Sequence, residues 1–213
     1  MSSGSTTMLP DRLKALFREL ERFGDENDAQ ASSRSHKMLN ITPDTGEFLR
    51  LLVRALKARR ILEIGTSNGY STLWLACAVQ PMNGSVTTLE KSPYKADMAR
   101  ANFARAEMQP WINLQLVDAG DYLKQQTAAA FDLVFLDSER YEYIAWWHDL
   151  QRVLASGGLL VVDNAVTHAH ELGDFVQVVQ QTPGYITSFV PVGKGEWVVL
   201  KEAVSMDGAS AGK

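Results

Sequence analysis

The chain has 213 residues, 46% apolar, 22% charged and 9% aromatic, a composition that fills one hydrophobic core and excludes collagen, coiled coil and wholesale disorder. Lys+Arg number 21 against Asp+Glu 25, a net charge of −4 with no basic block, which argues against a broad electrostatic grip on nucleic acid and for a small-molecule partner. The one cysteine, Cys77, has no intramolecular partner, and no apolar run reaches the ~18 residues of a membrane helix. The opening MSSGSTTM has neither a basic nor an apolar stretch of the kind that directs export, so a soluble, cytoplasmic protein without membrane or nucleic-acid partners is expected.

Residues 1–8 and the tail from about Val204 are small and polar and are expected to fray, which leaves a single domain over 9–203. Leu13, Leu16, Phe17 and Leu20 recur at helical spacing after Pro10, with Gly24 as the expected stop, and make an accessory helix with no evident partner in the rest of the unit. A second helix starts at Thr42 as N-cap with Pro43 behind it and carries Phe48, Leu51, Leu52, Ala55 and Leu56 on one face. Its basic end, Lys57, Arg59 and Arg60, suits the negative pole of the helix dipole.

From there β-rich apolar runs over 60–65, 85–90, 112–118, 131–137 and 159–164 alternate with helical stretches near 70–80, 92–108, 119–127 and 139–155. Unalternated runs such as FDLVFLD and GGLLVVDN suit strands covered on both faces, so the chain reads as a Rossmann-like, doubly wound α/β sheet. After a helix near 170–181, ITSFVPV and EWVVLKE are joined by a link too short for a parallel crossover, and the sheet must close with an antiparallel hairpin.

In such sheets the ligand sits beyond the carboxyl ends of the strands, near the point where strand order reverses. The first strand and turn read ILEIGTSNGYSTLWLA, with Gly65 and Gly69 spaced G-x-x-x-G rather than the G-x-G-x-x-G that admits a pyrophosphate. Glu63 before the turn supplies a carboxylate suited to a cationic ligand. Asp137 ends the fourth strand and Asp163 with Asn164 the fifth, so neighbouring strands ~4.8 Å apart raise two carboxylates and an amide beyond one sheet edge. That set, without thiolate or clustered imidazole, suits a hard divalent ion such as Mg²⁺.

The segments LNITPDTGEFLRLL, LEIGTSNGYS, FDLVFLD, GGLLVVDN and VPVGKGEWVVLK occur in the order seen in class I S-adenosylmethionine-dependent methyltransferases, and the stretch from about Met38 to Glu202 resembles the cation-dependent O-methyltransferases that act on catechol and caffeoyl-coenzyme A. The resemblance implies seven strands in order 3-2-1-4-5-7-6 with the last one antiparallel, accessory helices over 9–57 and a cofactor-binding core over 58–203. It implies that Glu63, Gly65 and Thr66 line the methionine part of the cofactor, with Ser71 at its carboxylate and Ile41 crossing over it. Glu90 would accept from the ribose hydroxyls, and Asp118 and Ala119 would meet the adenine, Val117 standing where relatives often write glycine. Asp137 would serve both cofactor and metal, with Asp163 and Asn164 as its fellow ligands, and a homodimer pairing through the N-terminal region is expected.

The implied chemistry is transfer of a sulfonium methyl to a hydroxyl of a small catechol-like acceptor, oriented and acidified by the ion. One departure stands out: relatives carry a lysine base three residues after the metal aspartate, whereas DSER places Arg140 there, and arginine does not deprotonate in proteins. His168, four residues after Asn164, titrates in a useful range and is the alternative base. Glu139, where relatives often have a second acid, would orient Arg140 or begin a helix, while His148 and Trp197 read as packing residues. The catalytic candidates are therefore Asp137, Arg140 and His168. Competing readings are a metal-independent methyltransferase acting on another hydroxyl or an amine, a nicotinamide-dependent oxidoreductase and a non-catalytic cofactor-binding protein.

Overall fold

The computed structural model describes residues 9–203, so the two ends expected to fray lie outside the described residues. Seven strands form one sheet in the order β3-β2-β1-β4-β5-β7-β6. They are β1 Arg60–Ile64, β2 Ser85–Glu90, β3 Ile112–Leu116, β4 Phe131–Leu136, β5 Leu154–Val162, β6 Tyr185–Val190 and β7 Glu196–Lys201. The first five run parallel, while β7 pairs antiparallel with both β5 and β6, as the short link requires.

The described residues hold seven α-helices packed on the two faces of the sheet: α1 Asp11–Gln30, α2 Pro43–Leu56, α3 Tyr70–Val79, α4 Pro93–Ala106, α5 Ala119–Gln125, α6 Tyr143–Val153 and α7 Ala169–Gln181. The period of two along the strands divides the core. Ile61, Leu133, Phe135 and Val161 pack toward α1 to α4, whereas Leu62, Ile64, Val134, Leu136, Leu160 and Val162 pack toward α5 to α7. Both faces are therefore buried, which explains the unalternated strands. Trp197 is fully buried in the second layer, as its packing reading expects, but His148 is exposed while Trp146, Trp147 and Leu150 of the same helix turn inward.

The two accessory helices correct the sequence reading. Gly24 does not stop α1; it lies buried inside it, and a Cβ there would stand 2.5 Å from Nδ2 of Asn40, which donates to the carbonyl of Leu20. The glycine serves a close approach of the following loop rather than a terminus. Nor is α1 without a partner: Leu13, Leu16, Phe17 and Leu20 are buried, Phe17 stacks on Trp74 at 4.4 Å between ring centroids, and the Tyr70 hydroxyl donates to Glu21 at 2.6 Å. In α2 the N-cap is Thr42 as expected, but the buried stripe is Thr45, Leu49 and Val53, with Leu51 exposed. The stripe is rotated by one residue from the all-apolar guess because a threonine belongs to it. Arg60, whose predicted role was at a helix end, opens β1 and pairs with Asp132 at 2.5 Å. Among the described residues no helix is long and apolar enough to cross a membrane.

Candidate active site

Strand order reverses between β1 and β4, and there a cavity of about 430 Å³ opens beyond the carboxyl ends of the strands. The turn after β1 forms its floor. Gly65 has φ 111°, and a Cβ on it would lie 2.0 Å from the carbonyl oxygen of Asp137, so only glycine lets the two strand ends approach this closely. Gly65, Glu90, Ala119, Asp137, Arg140, Asn164 and His168 all lie on the cavity wall. Ile41, Glu63, Thr66, Ser71, Asp118 and Asp163 are not among the lining residues.

Strand alternation explains the largest of these displacements. Glu63 is on the same face of β1 as Ile61, so its side chain runs under α3 instead of into the cavity. There Oε1 accepts from Ser71 Oγ at 2.6 Å, and Oε2 accepts from Thr88 Oγ1 at 2.6 Å and from Thr72 Oγ1. Burial pushes its carboxyl up to about 7 against the opposing pull of these three hydroxyls. Ser71 is thus spent on Glu63, and Thr66 pairs with Thr88 at 2.5 Å. Ile41 is buried in the core, and Met38 and Leu39 of the loop before α2 take the wall position instead. That loop is tied down from two sides: Asp28 accepts the Met38 and Leu39 amides at 2.6 and 2.8 Å, and Ser67 Oγ donates to the Met38 carbonyl at 2.8 Å.

At the end of β2, Glu90 Oε2 accepts the Ser67 amide at 2.8 Å, and Oε1 accepts those of Lys91 and Ser92 at 3.0 and 2.9 Å. Of the four lone-pair sites on an ionised carboxylate, these amides leave one, on Oε2, for a donor from the cavity. Asp118 caps α5 through the Asp121 amide at 3.2 Å and pairs with Lys91 at 3.3 Å, while Val117 and Ala119 on either side of it reach the wall.

Asp137, Asp163 and Asn164 come together as the strand ends predict. Withdrawal from water raises the Asp137 carboxyl well above the usual range, the Asp163 and Glu63 charges add to this, and Arg140 opposes it. Asn164 adopts a left-handed conformation at φ 59° and donates through Nδ2 to Asp163 Oδ2, which leaves its buried Oδ1 without a partner. The sequence reading missed one member. Glu196, fully buried, accepts from Thr45 Oγ1 at 3.0 Å through Oε1, and its Oε2 has no partner. Burial, then the Asp163 charge, pushes its carboxyl up to about 10. The signal was topological: an antiparallel strand enters the sheet at the edge where its parallel neighbours leave, and pairing of Val162 with Trp197 puts Glu196 across from Asp163.

Unpartnered buried oxygens on Asn164 and Glu196 lie beside the Asp137 and Asp163 carboxyls and form with them a concentration of acceptors that a cation would satisfy. Among the described residues no group of three or more His, Cys, Asp or Glu could hold a metal ion on its own, so the Asn164 amide oxygen has to complete any such site.

Beyond this set, Arg140 is buried, and its Nη1 donates to Glu171 Oε2 at 3.2 Å; Glu171, and not Glu139, orients it. Glu139 is exposed at the start of a short 3-10 turn. The preceding Ser138 is fixed by Tyr143, whose hydroxyl accepts its amide at 2.8 Å and donates to its carbonyl at 3.1 Å. His168 caps α7 and contacts Thr167 Oγ1 through Nδ1 at 3.0 Å. Burial lowers its pKa, and the charges of Arg140, Arg34 and His170 lower it further against the pull of Glu171.

A sequence model of the O-methyltransferase family matches residues 15–186. A catechol O-methyltransferase of Mycobacterium tuberculosis is 39% identical over 126 residues, 59% of this chain and 57% of that protein. A second catechol O-methyltransferase, of Niastella koreensis, is 36% identical over 131 residues, covering 60% of this chain and 59% of its own. The matched stretch thus spans less than two thirds of either relative. The crystal structure of the O-methyltransferase from Bacillus cereus in complex with SAH superposes with a TM-score of 0.74 at 25% identity, covering 94% of both chains.

Proposed function

The chain belongs to the O-methyltransferase family, and from that premise we propose that it transfers the methyl group of S-adenosylmethionine to a hydroxyl of a small catechol-like aromatic acceptor with the help of a divalent cation. The observation that carries this reading is the meeting of Glu90, Asp137 and Asn164 on the wall of one cavity at the strand-order switch. Glu90, with its position fixed by three backbone amides, has one acceptor site left for a ribose hydroxyl, and Val117 and Ala119 would flank the adenine.

Asp137, Asp163 and Asn164 would hold the cation, which when bound supplies orientation to vicinal hydroxyls and lowers the pKa of the one it touches. In the transfer the acceptor oxygen bonds to the sulfonium methyl as the carbon–sulfur bond breaks, the hydroxyl proton passes to solvent water, and the demethylated thioether remains. Arg140 cannot take that proton, so its part is to orient and to stabilise negative charge. Pairing of two chains belongs to the same proposal on the strength of the resemblance alone, since α1 is satisfied within its own chain. So does a cytoplasmic setting.

The test is methyl transfer from S-adenosylmethionine to catechol with Mg²⁺, followed as methylated product. Asp163→Ala is expected to remove the Mg²⁺-dependent turnover while S-adenosylmethionine still binds in a calorimetric titration. Full activity of that variant in the presence of a chelator would overturn the metal-assisted reading in favour of a metal-independent one.

A further inference from the structure

An ion pair crosses the cavity at the end where Glu90 stands. Lys91 follows Glu90 at the end of β2, Glu142 lies in the 3-10 turn Arg140–Glu142 that follows β4, and both are on the cavity wall. In the sheet β1 stands between these two strands, so their ends are separated by about 10 Å, twice the strand spacing, with the glycine turn of the cavity floor between them. A contact between the two loops has to arch over that turn. Lys91 Nζ makes it, donating to Oε1 and Oε2 of Glu142 at 3.1 Å each, and it also pairs with Asp118 Oδ2 beyond the end of β3 at 3.3 Å.

Both feet of the arch are fixed in the backbone. The Lys91 amide donates to Glu90 Oε1 at 3.0 Å, so the lysine rises directly beside the carboxylate assigned to the ribose. On the other side Tyr143, next to Glu142 in the chain, is buried and exchanges hydrogen bonds with the Ser138 backbone. What can yield is the ion pair itself. The side chains are 52% exposed for Lys91 and 23% for Glu142, and a pair that meets water to this extent is weak and screened by salt. Partial burial pulls the Lys91 ammonium down, but Glu142 and Asp118 together hold it above its ordinary value, so the charge is present throughout the neutral range. Lys95 lies on the same wall and makes no ion pair among the described residues.

We propose that the Lys91–Glu142 pair is a latch over the adenosine half of the cavity, which sets the rate at which S-adenosylmethionine and its demethylated product pass in and out. The proposal rests on the S-adenosylmethionine reading above and adds a gate to that site. A gate that entry and exit must both pass changes the two rates in equal proportion and leaves the equilibrium affinity where it was. That separates it from a residue that binds the cofactor, whose loss weakens affinity. The Asp118 branch joins neighbouring loops only and steadies the ammonium at the foot of the arch.

The experiment mixes the full chain with SAH in a stopped-flow instrument and follows tryptophan fluorescence, Trp146 being on the cavity wall. The slope of the observed rate against SAH concentration gives entry, the intercept gives release, and calorimetry gives Kd independently. Lys91→Met, which keeps an unbranched apolar stem, and Glu142→Gln are each expected to raise entry and release together by about three- to tenfold, with Kd unchanged to within about twofold. A retained Kd also shows that the variants are folded. The double variant should do no more than either single one, since both changes break one contact. Raising salt from about 0.05 to 0.5 M should speed release in the unaltered protein and not in the variants. Lys95→Met, the same change of charge on the same wall, should leave both rates where they were. Rates that do not move in Lys91→Met and Glu142→Gln, effects that add in the double variant, a salt response the variants share, or an equal effect of Lys95→Met would overturn the latch. So would a Kd weakened by the whole factor with entry unchanged, which would make Lys91 a contact of the cofactor. Absence of calorimetric binding of SAH to the unaltered protein would overturn the cofactor reading and the latch with it, whereas binding with unmoved rates overturns the latch alone.

Discussion

Glu63 offers a measurement in which the fold itself reports on the site's construction. Its carboxyl is fully buried behind the glycine turn, and burial raises it from 4.5 to about 7. A carboxyl whose folded pKa is raised binds its proton more tightly in the native state, so its contribution to stability is complete below about pH 4.5 and is lost as the pH climbs through 7. At about 1.4 kcal/mol per pH unit, the loss across that window comes to roughly 3 kcal/mol. Glu63→Gln removes the titration and keeps most of the geometry: the amide nitrogen can donate to Ser71 Oγ while the remaining oxygen still accepts from Thr72 and Thr88. Urea unfolding of both proteins between pH 4.5 and 8.5 isolates the effect, because titrating groups remote from Glu63 cancel in the difference and the neighbours Asp137 and Glu90 are smaller contributors to it. The stability of the unaltered protein relative to the variant should fall by roughly 3 kcal/mol between the acid and alkaline ends, most of it below pH 7. A difference that stays flat would refute the assignment of Glu63 as a buried proton-holding group and would imply that the three hydroxyls keep it ionised.

Glu90→Ala should weaken S-adenosylmethionine binding, read by calorimetry without added metal, by roughly 1–3 kcal/mol through lost charge-assisted bonds; unchanged affinity would remove Glu90 from the cofactor site. His168→Ala should leave the pH–rate profile nearly unmoved, because activation at the Asp137, Asp163 and Asn164 set does not need it. A fall in turnover of ~10²-fold or more together with the loss of one limb of the profile would make the imidazole the general base instead.

The fold was legible because its determinants are local and repeated. Apolar runs bounded by turn residues marked each strand, and the short link before Glu196 forced an antiparallel end to the sheet. The convergence of Asp137, Asp163 and Asn164 at one sheet edge was legible for the same reason, since a side chain at a strand's carboxyl end has its position set by topology. What escaped depended on contacts across the chain. Gly24 meets Asn40, and no periodicity within α1 reveals that neighbour. Glu63 was assigned to the cavity from its place in the loop motif, yet strand alternation turns it under α3 to Ser71 and Thr72. Glu196 opens β7, and only the antiparallel pairing of β7 with β5 places it across from Asp163.

Arg140 and the acidic set together limit where a proton can go. Where a titratable cation would stand, this chain has one that cannot release a proton, and its charge is met by Glu171 at 3.2 Å. A divalent ion held by Asp137, Asp163 and Asn164 would offset the repulsion between the two carboxylates and give the unpartnered Asn164 oxygen a cation to face. Activation of an acceptor hydroxyl would then fall to that ion, because the arginine beside Asp137 can orient but cannot act as a base.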